Sequence, residues 1–203
     1  MLEPAAASLD AVNCVALLED GRLEGSNTDG AGFLDALRAA GVEPTGRSAV
    51  VVGAGGAGRA VIAALGSAGV ASLTVVNRSA GPAAAAVALA GPAGRLGTIA
   101  EVRAADLVVN ATSVGMGVEE SPVEPSLLHD GQAVVDLVYH PLDTLLLRSA
   151  RQVGATTVDG LGMLVHQAAH QLTRWTGLAA PIGAMRAAAE AELARRDAAA
   201  AER

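Results

Sequence analysis

The chain contains no lysine: all 14 of its basic residues are arginine. It has one cysteine, Cys14, which excludes an internal disulfide framework and a cysteine-built zinc site, and no metal site is expected. The aromatics are Phe33, Tyr139 and Trp175 alone, too few for a base-stacking platform, and the net charge of −7 argues against a nucleic-acid surface. The longest apolar run, near Ala83 to Ala90, is far short of the ~20 residues a membrane helix needs. No basic segment followed by an apolar core opens the chain, so no secretory signal and a cytoplasmic location are expected. What is abundant is small: 46 alanines and 24 glycines within a chain that is 51% hydrophobic, which excludes a disordered protein. The length of 203 residues fits one large domain, or one domain with pieces of another.

The apolar residues come in short runs cut by glycine, aspartate and arginine. Asp20-Gly21 between two short runs is a hairpin signal. Phe33, Leu34 and Leu37 recur at helical spacing, with Thr28 or Asp29 able to cap the start and Gly41 to stop the end. From Ser48 the pattern changes. A fully apolar strand is expected over 49–52 and further strands over 73–76, 107–109, 134–138 and 156–158, alternating with helices over 59–65, 82–89, 144–153 and 163–175. Such alternation implies a parallel sheet covered on both faces. Residues 1–10 read as an alanine-rich lead-in and 182–201 as a helical tail.

Gly53-Ala54-Gly55-Gly56-Ala57-Gly58 follows an apolar strand and opens a helix. Glycines there let a pyrophosphate approach the main chain, and the helix start offers free N–H groups with a positive dipole end. The plain alternative is a glycine-rich loop in a glycine-rich protein. The next strand ends Val75-Val76-Asn77-Arg78-Ser79, with Arg78 where an NAD-binding unit carries an acid for the ribose 2′-hydroxyl. A guanidinium suits a 2′-phosphate, so NADP is favoured over NAD. The alternative for Arg78 is a solvated strand-end residue. Thr112 and Ser113, after the strand ending at Asn110, can contact ribose or phosphate, or only cap their own turn. The fold class is α/β, a Rossmann-type doubly wound parallel sheet.

The ordered series of motifs resembles the shikimate dehydrogenase family from about residue 6 to residue 190. It comprises Ala11-Val12-Asn13, Asn27-Thr28-Asp29-Gly30, the glycine turn and Asn77-Arg78-Ser79. It continues with Asn110-Ala111-Thr112-Ser113-Val114-Gly115-Met116, Asp136-Leu137-Val138-Tyr139, the segment Asp159 to Ala169, and Trp175-Thr176-Gly177. The resemblance implies reversible NADPH-linked reduction of 3-dehydroshikimate to shikimate, within aromatic amino-acid and chorismate biosynthesis. It implies remnant elements of a second α/β substrate domain over 1–40 with a linking helix. An NADP-binding domain would span 41–160, and C-terminal helices over 161–203 would return to the substrate domain. Asn13, Asp29, Tyr139 and Gln167 would contact the substrate, with Asp29 also a catalytic group. Gly53, Ala54, Gly55, Gly56 and Ala57 would hold the pyrophosphate. Asn77, Arg78 and Ser79 would hold the 2′-phosphate end, and Leu137, Gly160 and Met163 would line the nicotinamide side. Short polar side chains that donate and accept suit a polyol. The plain alternatives are a turn role for Asn13, a helix cap for Asp29 and a surface position for Gln167.

Three departures bear on function. Cys14 stands where the family carries threonine. No second basic residue follows Arg78 over 80–83, so a weaker preference for NADP is expected. The family's Asn-Val-Thr-x-Pro-x-Lys stretch, whose lysine pairs with the aspartate matched by Asp29, is not in this chain, and His140, His166 and His170 are the conceivable substitutes. The expectation is a chain that lacks the first part of the substrate domain and is catalytically impaired alone. The rival readings are a non-catalytic NADP-binding module and a quinate/shikimate-type dehydrogenase using NAD. With its partner strands missing, Phe33, Leu37, Ile182, Met185 and Leu193 are expected to lose burial, giving self-association, for example as a homodimer.

Overall fold

A short strand with apolar residues at every position has no solvent face, so it must be buried on both sides. The computed structural model, which describes residues 1–201, buries them in that way. The strands are β1 (Cys14–Leu17), β2 (Leu23–Ser26), β3 (Ser48–Val52), β4 (Ser72–Val76), β5 (Gly94–Leu96), β6 (Leu107–Asn110), β7 (Ala133–Asp136) and β8 (Thr156–Val158). The helices are α1 (Pro4–Leu9), α2 (Asp29–Ala39), α3 (Gly56–Ser67), α4 (Ala80–Leu89), α5 (Leu145–Gln152), α6 (Gly160–Thr176) and α7 (Ile182–Ala201). β3 to β8 form one parallel sheet in the order β5-β4-β3-β6-β7-β8. The order reverses between β4 and β6 on either side of β3, the switch point at which doubly wound sheets open a ligand crevice. β1 and β2 form a separate antiparallel hairpin.

Alternate residues of each central strand enter opposite cores. Ala49 and Val51 join Leu65, Val75, Val109 and Val135 on one side. Val50 and Val52 join Val102, Val108, Val134 and Leu146 on the other. Two elements go beyond the sequence expectation. Residues 4–9 are helical because Pro4 suits a first helical position, and Asp10 ends the helix in a left-handed conformation. The edge strand β5 is three residues long with Leu96 as its one large apolar residue, so it has no periodicity to read.

The expectation that α2 and α7 would lose burial is corrected for three residues. Phe33 and Leu37 are fully buried, and Leu193 is buried against Leu161 and Val165. The reason is helix cover: α2 lies between α3 and α6, and α6 itself covers Leu193. Of the rest, Met185 is partly buried and Ile182 is 41% exposed. The larger exposed apolar side chains are instead on the hairpin, at Val15, Leu17 and Leu23, and at Trp175 and Leu178.

Gly32 sets the closeness of α2 to α6. A Cβ built there would sit 2.5 Å from the backbone nitrogen of Gln167. Backbone cannot step aside as a side chain can, so Gly32→Ala forces the helices apart. The expected cost is about 1–3 kcal/mol, read as a lower urea midpoint. A midpoint equal to that of the parent chain would show that the two helices separate freely.

Candidate active site

Two clefts open at the carboxyl ends of the sheet strands. The first, of about 590 Å³, lies at the switch point. Its walls are Val52 to Gly55 after β3, Val76 to Arg78 after β4, and Ala111 to Val114 after β6, with Pro122. Gly53 has φ +108°, and a Cβ on it would lie 2.7 Å from the Ala111 carbonyl oxygen, so the turn admits no side chain. Gly55 precedes α3, and no side chain caps that helix. The first N–H groups of α3 are therefore free for a ligand. At Gly55 and Gly56 an added Cβ would meet open space, as a cradle for a group outside the protein requires.

The side chains around this cleft divide into braces and free groups. Asn77 is a brace: its Oδ1 accepts from Ala54 N (3.2 Å) and its Nδ2 donates to Ser79 O (3.0 Å). Thr112 is a second, since its hydroxyl donates to Asn110 Oδ1 (2.7 Å) and accepts from Val114 N (3.1 Å). Of the two readings of Thr112, the turn cap is the one the hydrogen bonds show. Arg78 is exposed, and no carboxylate lies within salt-bridge distance of it among the described residues. Gly56 and Ser79 flank this cleft without lining it.

The second cleft, of about 360 Å³, is lined by Asn13, Asp29, Ala57, Leu137, Tyr139, Gly160, Met163, Leu164, Gln167 and Gln171. The fold thus brings together Asn13, Asp29, Tyr139 and Gln167 from four distant segments, beside the apolar Leu137 and Met163. Asn13 Nδ2 donates to Asp29 Oδ1 (2.8 Å), while Asn13 Oδ1 accepts from Thr28 N (2.9 Å). Asp29 is the first residue of α2 and not its cap; Asn27 Oδ1 accepts from Asp29 N (3.0 Å) instead. Asp29 Oδ2 has no protein partner among the described residues. Burial pushes the Asp29 carboxyl above the ordinary aspartate range, against the Asn13 hydrogen bond, which favours the charged form.

None of the four histidines lines this cleft. His140 Nε2 pairs with Asp197 (2.9 Å), and His170 Nε2 pairs with Asp35 (2.7 Å). His166 and His170 line a different hollow, beside Arg174 and Ile182. None of the three conceivable substitutes for the lysine, His140, His166 and His170, therefore lines the cleft that holds Asp29.

Sequence reasoning does not reach two further features. Gln171 lines the second cleft, and its spacing of one helical turn from Gln167 is the signal that points to it. Asp136 is completely buried, accepting from Asn110 Nδ2 (2.8 Å), Val138 N (3.0 Å) and Thr144 Oγ1 (2.7 Å). Burial raises its pKa, and those three donors oppose the rise. Asn110 also holds the Thr112 turn, so this buried pair ties the wall of the first cleft to the strand that leads to Leu137 and Tyr139 in the second.

Known proteins resemble this chain over most of its length. The family described as Shikimate 5'-dehydrogenase C-terminal domain matches residues 160–190. Shikimate dehydrogenase (NADP(+)) of Moorella thermoacetica is 48% identical, over 91% of this chain and 66% of that relative. The protein of the same name from Symbiobacterium thermophilum is 46% identical, over 94% of this chain and 69% of that relative. The chain therefore spans about two thirds of the length of the curated relatives it matches. Shikimate 5-dehydrogenase from Thermus thermophilus, solved in complex with NADP(H) and shikimate, superposes with a TM-score of 0.86 at 43% identity, covering 93% of this chain and 71% of that one. At 46% identity over 69% of the Symbiobacterium relative, and with the Thermus structure superposing over 93% of this chain, the chain belongs to the shikimate dehydrogenase family.

Proposed function

We propose that this protein is an NADP-linked shikimate dehydrogenase, with the cofactor in the first cleft and shikimate or 3-dehydroshikimate in the second. One observation carries the reading: the two clefts meet at the start of α3, where Gly55 lines one and Ala57 the other. The uncapped helix start, the open space at Gly55 and Gly56 and the unpaired Arg78 fit a dinucleotide carrying a 2′-phosphate. Gly53 to Ala57 would hold its pyrophosphate, and Arg78 the 2′-phosphate, with Asn77 and Ser79 shaping that end. Leu137, Gly160 and Met163 would exclude water on the nicotinamide side. Bound NADPH supplies the hydride that reduces a carbonyl.

The chain's own residues then orient a polyol. Asp29 Oδ2 accepts from a ligand hydroxyl, and the second hydrogen on Asn13 Nδ2 is available to a ligand oxygen. A cytoplasmic biosynthetic role goes with this reading, and the exposed apolar hairpin residues support self-association. Fluorescence titration tests the cofactor arm: saturable NADPH binding tighter than NADH is expected. Failure of both nucleotides to bind at millimolar concentration would end the proposal.

The raised pKa of Asp29 gives the substrate arm a pH signature. As pH falls, Asp29 takes up a proton sooner than an ordinary aspartate and loses its acceptor charge. Shikimate affinity is therefore expected to weaken on acidification, with the decline starting above the ordinary aspartate value of about 4. Asp29→Asn is expected to bind more weakly at neutral pH and to lack that early decline. Parallel pH profiles for the two chains, measured by calorimetry, would remove Asp29 from the ligand contacts.

A further inference from the structure

Asp136 ends β7 directly opposite Asn110, which ends β6, and both side chains are fully buried. The backbone fixes which way the Asn110 amide faces, because an N–H only donates and a carbonyl only accepts. Thr112 N donates to Asn110 Oδ1 (3.0 Å), and Val114 O accepts from Asn110 Nδ2 (3.1 Å). The other hydrogen on Asn110 Nδ2 goes to Asp136 Oδ1, the oxygen that also accepts from Val138 N. Thr144 Oγ1 accepts from Leu147 N (3.3 Å), which leaves its own hydrogen for Asp136 Oδ2. Three donors thus converge on one carboxylate. Two of them lead to different clefts. Asn110 holds the turn over 111–114, a wall of the first cleft. Val138 N lies between Leu137 and Tyr139, which line the second. A Cβ on Gly160 would sit 2.4 Å from Leu137 O, so this segment is also pressed against the start of α6.

We propose that Asp136 is a positioning residue shared by the two clefts, through which a ligand in one favours a ligand in the other. The proposal rests on reading the clefts as cofactor and polyol sites. A ligand that orders the 111–114 turn also orders Asn110 and, through Asp136, the segment that lines the second cleft. The second ligand then has less motion to remove and binds more tightly. The effect is reciprocal, since each ligand changes the affinity of the other by the same factor.

The experiment uses the 203-residue chain, with shikimate for the second cleft and adenosine 2′,5′-bisphosphate for the first. The bisphosphate carries the phosphate expected at Arg78 but no nicotinamide, so it brings no group of its own to the second cleft. By calorimetry, saturating bisphosphate is expected to raise shikimate affinity about 5-fold in the parent and less than about twofold in Asp136→Ser. Asp136→Asn keeps the shape and loses the charge that strengthens both bonds, so its coupling is expected to lie between the two. A merely structural Asp136 would lower the thermal midpoint or both affinities and leave the coupling unmoved. Thr144→Val serves as that control: it uncaps α5 and is expected to lower the midpoint with the coupling kept. No coupling in the parent, or parent-like coupling in Asp136→Asn, would overturn the proposal, and the second result stands even if Asp136→Ser fails to fold. In the ligand-free chain, Asp136→Asn is expected to speed amide exchange at Val138, which Asp136 holds, and also at Thr112 and Val114, which it reaches only through Asn110. Faster exchange at Val138 alone would also overturn it. If the parent chain fails to take up either ligand, the proposed function fails, while those exchange rates still decide this inference.

Discussion

Mixed with NADPH and 3-dehydroshikimate, the purified 203-residue chain is expected to bind the nucleotide and to turn over at least about 10²-fold more slowly than a relative with a lysine in its site. Reducing a carbonyl puts negative charge on its oxygen, and a cationic donor aimed at that oxygen lowers the barrier. In the second cleft the titratable side chains are Asp29 and Tyr139, neither of which is a cation. No lysine exists elsewhere in the chain, and an arginine holds its proton too tightly to act as a general acid. The histidines are turned away, two of them paired with Asp35 and Asp197. Since the resemblance pairs Asp29 with the lysine, Asp29→Asn is expected to slow this chain little further, as groups that act as a unit are not additive. NADPH consumption at the rate of such a relative would refute this outright.

Arg78→Ala is expected to weaken NADPH binding about 10–100-fold while leaving NADH within about twofold. The guanidinium is exposed and free of carboxylates, so it gives up no internal partner to meet a phosphate. Asn77 does not replace it, because both ends of its amide are already bound to backbone. Added salt is expected to weaken NADPH binding more than NADH binding in the parent chain, and to affect the two alike in the variant. Equal losses for the two nucleotides in Arg78→Ala would assign Arg78 to the shape of the turn rather than to the 2′-phosphate. Isothermal titration at two ionic strengths separates these results.

Much of this protein is determined by local pattern. Apolar runs near Val50, Val75, Val108 and Val134 became parallel strands, and the glycine segment became a turn at Gly53, which admits no side chain, leading into α3, because both depend on neighbours in the chain. The ordered motifs also carried the family and therefore the candidate residues. Tertiary structure alone decided what those residues do with their hydrogen bonds. Asn77 and Thr112 line the first cleft and are also braces of its walls. Asp29 looks like a cap and is a partly buried acceptor; Thr28 takes the cap position, and the Asn27 side chain accepts from Asp29 N. Phe33 and Leu37 keep their burial because Gly32 lets α6 come within backbone contact of α2, a closeness set by residues 135 positions apart. Gln171 acquires its place only when Asn13, Thr28 and Gln167 meet it across that helix pair. Backbone conformation is a property of short segments, whereas burial and hydrogen-bond satisfaction belong to whichever groups the fold brings together.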